Sequence, residues 1–436
     1  MKIKLLIYTI LLSFCFGQTI EECMECHSDE ELTKSINDST EMSLYVNIDA
    51  YNKSVHQDFE CIDCHSTIES AEHEEDLPDV DCGQCHEEIQ QVYNESIHSN
   101  AIIQSEINIA HCKDCHGNHN ILPSDEKNSM TNKLNISHTC GSCHSKPEVI
   151  KLLGLRGEGP VVNYHKSIHN KLLHEEKNLN APTCTDCHGS HSIFLMSDPR
   201  STFNKLNIPE TCGKCHSKET GKYTESIHWK SVKRGHFESP VCNDCHGEHK
   251  IESPRTRESI TNYLNIASQV CARCHSSETL MERFGLNSQQ FTSYMKTYHG
   301  LASLKGSSEA ATCTSCHEVH SILEQSSPRS SVNKANLKKT CGKCHDAVSD
   351  DFVNISVHPV NLKTRNIYGY YIRNAYVWLI ILLISGMFIH NLIIFLYYIV
   401  QKHRKNKLQV NKIAVFPGVN ILAFSLIKFN LYSVRI

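Results

Sequence analysis

The 436-residue chain is poor in the side chains that build a protein core. Aromatic residues make up 7%, and the stretch 21–358 is dominated by Asn, Ser, Lys and Glu. Such a composition buries little apolar surface by itself, so a conventional hydrophobic core is excluded and something else must fill the interior. Excess charge of either sign is also missing. The formal net charge is −5, and the middle region has no basic stripe of the kind that neutralises phosphates, which argues against a nucleic-acid partner. At this length two or three ordinary domains would be expected.

What the chain has in excess is cysteine and histidine, 23 and 29 residues. Apart from Cys15, every cysteine belongs to a Cys-x-x-Cys-His motif. The first five are Cys23 and Cys26 with His27, Cys61 and Cys64 with His65, Cys82 and Cys85 with His86, Cys112 and Cys115 with His116, and Cys140 and Cys143 with His144. The next three are Cys184 and Cys187 with His188, Cys212 and Cys215 with His216, and Cys242 and Cys245 with His246. The last three are Cys271 and Cys274 with His275, Cys313 and Cys316 with His317, and Cys341 and Cys344 with His345. Two thiols three residues apart lie on one face of a helical turn, where both can bond the vinyl groups of one haem. The next histidine then reaches the iron as proximal ligand. Zinc would need second cysteine pairs, and a disulfide framework would not need the histidines. The expectation is eleven covalent haems of the c type.

The motifs recur within a larger unit. Each unit opens with Ser- or Thr-x-His, continues through a first motif and a further histidine, and closes on a second motif. A recurring phrase such as Lys205-Leu-Asn-Ile-Pro-Glu-Thr-Cys212-Gly precedes that second motif. The distal ligand candidates are His56 and His73, His98 and His119, His169 and His191, His228 and His249, and His299 and His320, with His358 at the end. They number eleven, matching the motifs; His73 is irregular, eight residues beyond His65 rather than three. His111, His138, His165, His174 and His236 are left over and read as surface or propionate-contacting residues. Arg200, Arg255 and Arg329, each after a proline, are either propionate partners or solvated turn residues. Irons with imidazole on both faces are electron carriers with no open coordination site, so we expect no catalytic residue. The alternative is a multihaem reductase of a small inorganic substrate (nitrite, hydroxylamine or tetrathionate type); a haem-based sensor or storage protein ranks third.

Both ends carry targeting signals. Residues 1–17 read as a secretory signal peptide, discarded with Cys15. Between Asn374 and Gln401 there is no Asp, Glu, Lys or Arg, and 376–400 is long enough to span a bilayer. Lys402, His403, Arg404, Lys405 and Lys407 follow, so the tail 401–436 is expected in the cytoplasm and the haem domain outside the inner membrane. His390 within this helix could ligate a b-type haem or line a quinone site, or could make a helix-packing hydrogen bond.

The repeated Ser-Ile-His, Cys-His-Gly-x-His and Leu-Asn-Ile-x-x-Thr-Cys-Gly-x-Cys-His phrases resemble periplasmic multihaem c-type cytochromes of the c3/c7 kind. Over about 21–401 the chain is similar to those fused to a membrane cytochrome b. That resemblance implies a mainly α fold with much irregular coil, short helices and loops around stacked haems, and a C-terminal transmembrane helix. It also implies electron flow from the quinone pool, or a quinol-oxidising cytochrome b in the same or a separate chain, past Cys341 towards Cys23. Acceptors would be periplasmic or outer-membrane redox proteins or extracellular oxidants. The expected layout is a signal at 1–17, a haem domain at 18–360, a linker at 361–375, a membrane helix at 376–400 and a tail resembling the start of a truncated b-type domain.

Overall fold

The computed structural model describes residues 19–37, 40–99, 110–155, 157–354, 357–358 and 367–409. The expected signal peptide with Cys15, and the tail beyond Gln409, lie outside these. The chain divides into two units, 1–358 and 359–436.

Among the described residues the first unit is mainly short helices joined by coil, with one two-stranded antiparallel hairpin, Thr33–Asn37 with Thr40–Ser43. The helices are short because each is built around a motif and stopped at once. In the helices Cys112–His116, Cys184–His188 and Cys242–His246, an Asp three residues in accepts a hydrogen bond from the N-cap N–H. Gly117, Gly189 and Gly247 then leave the helix at φ 82 to 89°, a left-handed exit that costs a glycine least. The helix Cys313–His317, with Ser315 in place of the Asp, leaves through Glu318 at φ 66°.

Second motifs are approached differently. Paired asparagines brace the preceding loop: the Asn132, Asn204, Asn262 and Asn333 side chains donate to the Ser124, Met196, Pro254 and Gln325 carbonyls. Asn135, Asn207, Asn265 and Asn336 do the same for the Ser129, Ser201, Ser259 and Ser330 carbonyls. A loop braced by side-chain amides keeps its backbone polar groups satisfied without a sheet or a long helix.

Successive units are stapled together. The N–H groups of Val55, Ile97, Ile168 and Ile227 donate to the carbonyls of Ile121, Ile193, Ile251 and Ile322 in the following unit, each at 2.8 Å. Lys133 pairs with Asp186 (3.3 Å) and Lys205 with Asp244 (3.1 Å) across the next two joints. At the joint after those, Tyr263 stands in the lysine position and Ser315 in the aspartate position, with their oxygens 3.2 Å apart.

A longer period contains the two-motif unit. Tyr93 and Tyr223, Glu95 and Glu225, Cys112 and Cys242, and Tyr164 and Tyr294 each repeat at 130 residues. Arg200 reaches Glu95 and Arg329 reaches Glu225 (2.8 Å), so every second joint carries an arginine staple. The basic building block therefore holds four motifs.

Apolar packing is slight. Among the described residues the buried cluster is Ile208, Val232 and Val241, flanked by Phe203, Tyr223 and Trp229.

Among its described residues the second unit is one helix, Ile367–Gln409; the most apolar 18-residue stretch within 367–402 has mean hydropathy 2.5, and the helix is long and apolar enough to cross a membrane. It starts at Ile367, inside the expected linker, and runs on through the basic residues after Val400. Hydropathy marks where the environment changes, whereas backbone hydrogen bonding continues until the helix itself is broken.

Candidate haem-ligand site

In the last three units the Ser- or Thr-x-His opens a helix. Ser167, Ser226 and Thr297 accept hydrogen bonds from the N–H groups of Asn170, Trp229 and Gly300. The hydroxyl caps the helix, and the histidine two residues on is thereby aimed inward.

Each motif histidine then faces a second imidazole. His86 faces His56, His144 faces His98, His216 faces His169, His275 faces His228, and His345 faces His299, with ring centres 6.1 to 6.3 Å apart. These five pairs lie within one unit. The other pairs cross units: His65 faces His119, His116 faces His191, His188 faces His249, and His246 faces His320, at 5.9 to 6.3 Å. At the two ends, His27 faces His73 (6.1 Å) and His317 faces His358 (6.3 Å). The first motif has no Ser-x-His before it among the described residues. His73 fills that place, which accounts for its irregular spacing.

This separation discriminates between chemistries. A direct nitrogen-to-nitrogen hydrogen bond of about 2.9 Å would put ring centres roughly 5 Å apart. A metal between them, with bonds of about 2.0–2.1 Å on each side, gives about 6 Å. No hydrogen bond joins the rings of any pair among the described residues. Nor does any group of three or more His, Cys, Asp or Glu converge there to hold a bare metal ion. Two protein ligands per site leave the other donors to a planar macrocycle, and the cysteine pair beside each site matches its covalent attachment. The residues fit a haem with two axial imidazoles.

Electrostatics agree. Burial pushes His188 down to about 4, reinforced by His249, and burial with His275 does the same for His228. Both stay neutral with a lone pair to offer. His27 and His73 hold Nδ1 against the carbonyls of Leu44 and Glu74, each at 2.8 Å, and His358 holds its Nδ1 against that of Gln290 at 3.0 Å. A carbonyl can only accept, so Nδ1 carries the proton and Nε2 is left free to coordinate in all three.

None of the 22 described cysteines is in a disulfide. Motif abuts motif in chain order. Cys61 neighbours Cys23, Cys112 neighbours Cys82, Cys184 neighbours Cys140, Cys242 neighbours Cys212, and Cys313 neighbours Cys271. The remaining junctions pass from Cys64 to Cys85, Cys115 to Cys140, Cys187 to Cys212, Cys245 to Cys274, and Cys316 to Cys341.

The leftover histidines stand apart from the pairs. His111 and His138 are exposed, His165 lies 3.2 Å from the Ser137 hydroxyl, and His236 meets Phe284 edge-on at 5.2 Å. His174 ends the helix Ile168–His174. Arg200 is engaged by Glu95 and Asp198 and lies 4.2 Å over the Phe194 ring, and Arg329 is engaged by Glu225. Arg255 donates its N–H to the Ser253 hydroxyl in a turn. His390 is exposed on its helix.

One element escaped the sequence reading. A tyrosine stands three residues before every Ser- or Thr-x-His of the five units. The hydroxyls of Tyr51, Tyr93, Tyr164, Tyr223 and Tyr294 donate to the carbonyls of Phe59, Ala110, Pro182, Pro240 and Ala311, each two residues before a first-motif cysteine. One side chain thereby ties the attachment point of one motif to the histidine that faces the next. The signal was legible as Tyr-x-x-Ser/Thr-x-His, five times over.

A family model described as outer membrane cytochrome MtrC/MtrF-like, domains II/IV, matches residues 176–359. Multiheme cytochrome MtrA from Shewanella baltica (strain OS185) is 28% identical over 141 residues. That is 32% of this chain, and it spans 32% of the length of the curated relative. No solved structure matches the chain.

Proposed function

We propose that this chain, a multihaem c-type cytochrome, is a membrane-anchored electron conductor holding eleven haems, each between two histidines. When bound, each haem supplies one-electron exchange between ferric and ferrous iron. The observation that carries the reading is the set of eleven facing imidazole pairs, one for every Cys-x-x-Cys-His motif. The motif histidines and their partners would hold each haem iron from both sides and leave no place for a third ligand, which favours conduction over reduction of a small substrate. The cysteines anchor the sites, and their order along the chain makes an unbranched file from Cys341 to Cys23.

The helix Ile367–Gln409 anchors the file. Lys402 and Arg404 after its apolar part favour a cytoplasmic C-terminal side, with the haem unit outside the inner membrane. The donor is then a membrane quinol-oxidising cytochrome b, with His390 facing its quinone or b-type haem. The acceptors are periplasmic or outer-membrane redox proteins.

The test is haem content and ligand reactivity of the full-length exported protein. Eleven haems per chain, low-spin in both oxidation states and unreactive to carbon monoxide, are expected. Substantially fewer haems, or a carbon monoxide-binding haem in the unaltered protein that turns over nitrite or hydroxylamine, would overturn it.

A further inference from the structure

One motif differs from its repeats in what covers its histidine. The residue just before the bracing asparagine is Thr131, Phe203, Thr261 or Val332 in the four units that contain the brace. Only Phe203 brings a ring to this position. Its centre lies 4.3 Å from that of His188, with the two planes 18° apart, a stacked contact much closer than the 6.0 Å separating His188 from His249. At the equivalent positions Thr131 and Thr261 turn their hydroxyls to Ser129 and Ser259, each at 3.0 Å.

Phe203 is itself held in place. Its N–H donates to the hydroxyl of buried Ser201 at 3.2 Å, and its ring packs on Ile208, Val232 and Val241. A rigid apolar ring thus lies flat against the histidine of the sixth of eleven motifs. Reduction lowers the positive charge of a ferric bis-imidazole centre by one. Surroundings of low polarity penalise the more highly charged ferric form and so favour the ferrous one. The ring also locks the imidazole plane, which governs ligand-field symmetry at the iron.

We propose that Phe203 is a positioning residue that fixes the His188 imidazole and raises the reduction potential of the haem attached at Cys184 and Cys187, setting the middle of the file apart from its neighbours. This rests on the reading of His188 as an axial ligand. The experiment uses the full-length haem-loaded protein with Phe203→Thr, Phe203→Tyr and, in parallel, His249→Ala. Potentiometric titration with mediator dyes and paramagnetic resonance of the ferric protein are the readouts. Phe203→Thr is expected to move one one-electron component to lower potential and to shift one low-spin signal, and Phe203→Tyr restores both. Titrations and spectra of Phe203→Thr that superimpose on the parent overturn the proposal, even if unfolding is easier, because the ring is then mere packing. His249→Ala should create one haem that binds carbon monoxide. If it creates none, the ligand reading itself has failed; if it does while Phe203→Thr is silent, only this inference falls.

Discussion

His249 faces His188 at 6.0 Å although two complete motifs, Cys212 to His216 and Cys242 to His246, intervene between them in the chain. Each later unit sets a histidine against the first-motif histidine of the unit before it, while its own Ser- or Thr-x-His faces its second motif. The units are therefore interlocked rather than strung together.

The interlock makes a displaced phenotype. His249→Ala should open the haem at Cys184, not the one at Cys242, although His246 of that motif is only three residues from the mutation. Removing Cys184 and Cys187 in the same protein should abolish the new carbon monoxide-binding band, whereas removing Cys242 and Cys245 should leave it. The reverse result would assign His249 to His246.

Tyr223 donates to the Pro240 carbonyl at 2.7 Å from a half-buried position. Tyr223→Phe leaves that carbonyl without its donor, which costs about 1–2 kcal/mol. Denaturant titration followed at the Soret band should show the loss, and Tyr223→Leu should cost more because it also removes the ring.

Burial raises the Tyr294 phenol to about 12. A raised phenol pKa means the folded state holds the proton more tightly. Its stabilisation is full below about pH 10, the unfolded value, and is lost as pH rises towards 12. The alkaline decline in stability across that interval should be shallower in Tyr294→Phe.

Asp186 accepts from the Thr183 N–H at 2.7 Å and pairs with Lys133 at 3.3 Å. Burial raises its pKa, but Thr183 and Lys133 outweigh burial and hold the carboxyl below its ordinary range. A depressed carboxyl pKa stabilises above the unfolded value, about 3.9, and that contribution disappears as pH falls through the folded value. Asp186→Ala should cost about 1 kcal/mol at neutral pH. The gap to the parent should close below pH 4, as read from unfolding midpoints.

Between Thr19 and Glu95 there are 22 Asp or Glu residues against Lys34 and Lys53, an asymmetry concealed by the overall charge of −5. A cationic oxidant such as hexaammineruthenium should exchange electrons rapidly at this end at low salt. The rate should drop several-fold as the screening length shortens from about 30 Å at 0.01 M to about 8 Å at 0.15 M. Glu72, Glu74 and Glu75 replaced together by glutamine should flatten that dependence.

The amino-acid sequence by itself determined the ingredients. A cysteine pair and its histidine act within one turn, so their spacing alone identifies each motif, and the apolar run after Asn374 announces a long helix. Histidine supply could be counted against motif demand for the same reason. Only the tertiary structure decided which histidine meets which. Backbone bonds such as Ile168 to Ile251 and ion pairs such as Lys205 with Asp244 bring distant segments together, and nothing in local spacing encodes those encounters. It likewise placed Phe203 against His188 and engaged Arg200 with Glu95, because the partner of a side chain is set by packing across the joint between units.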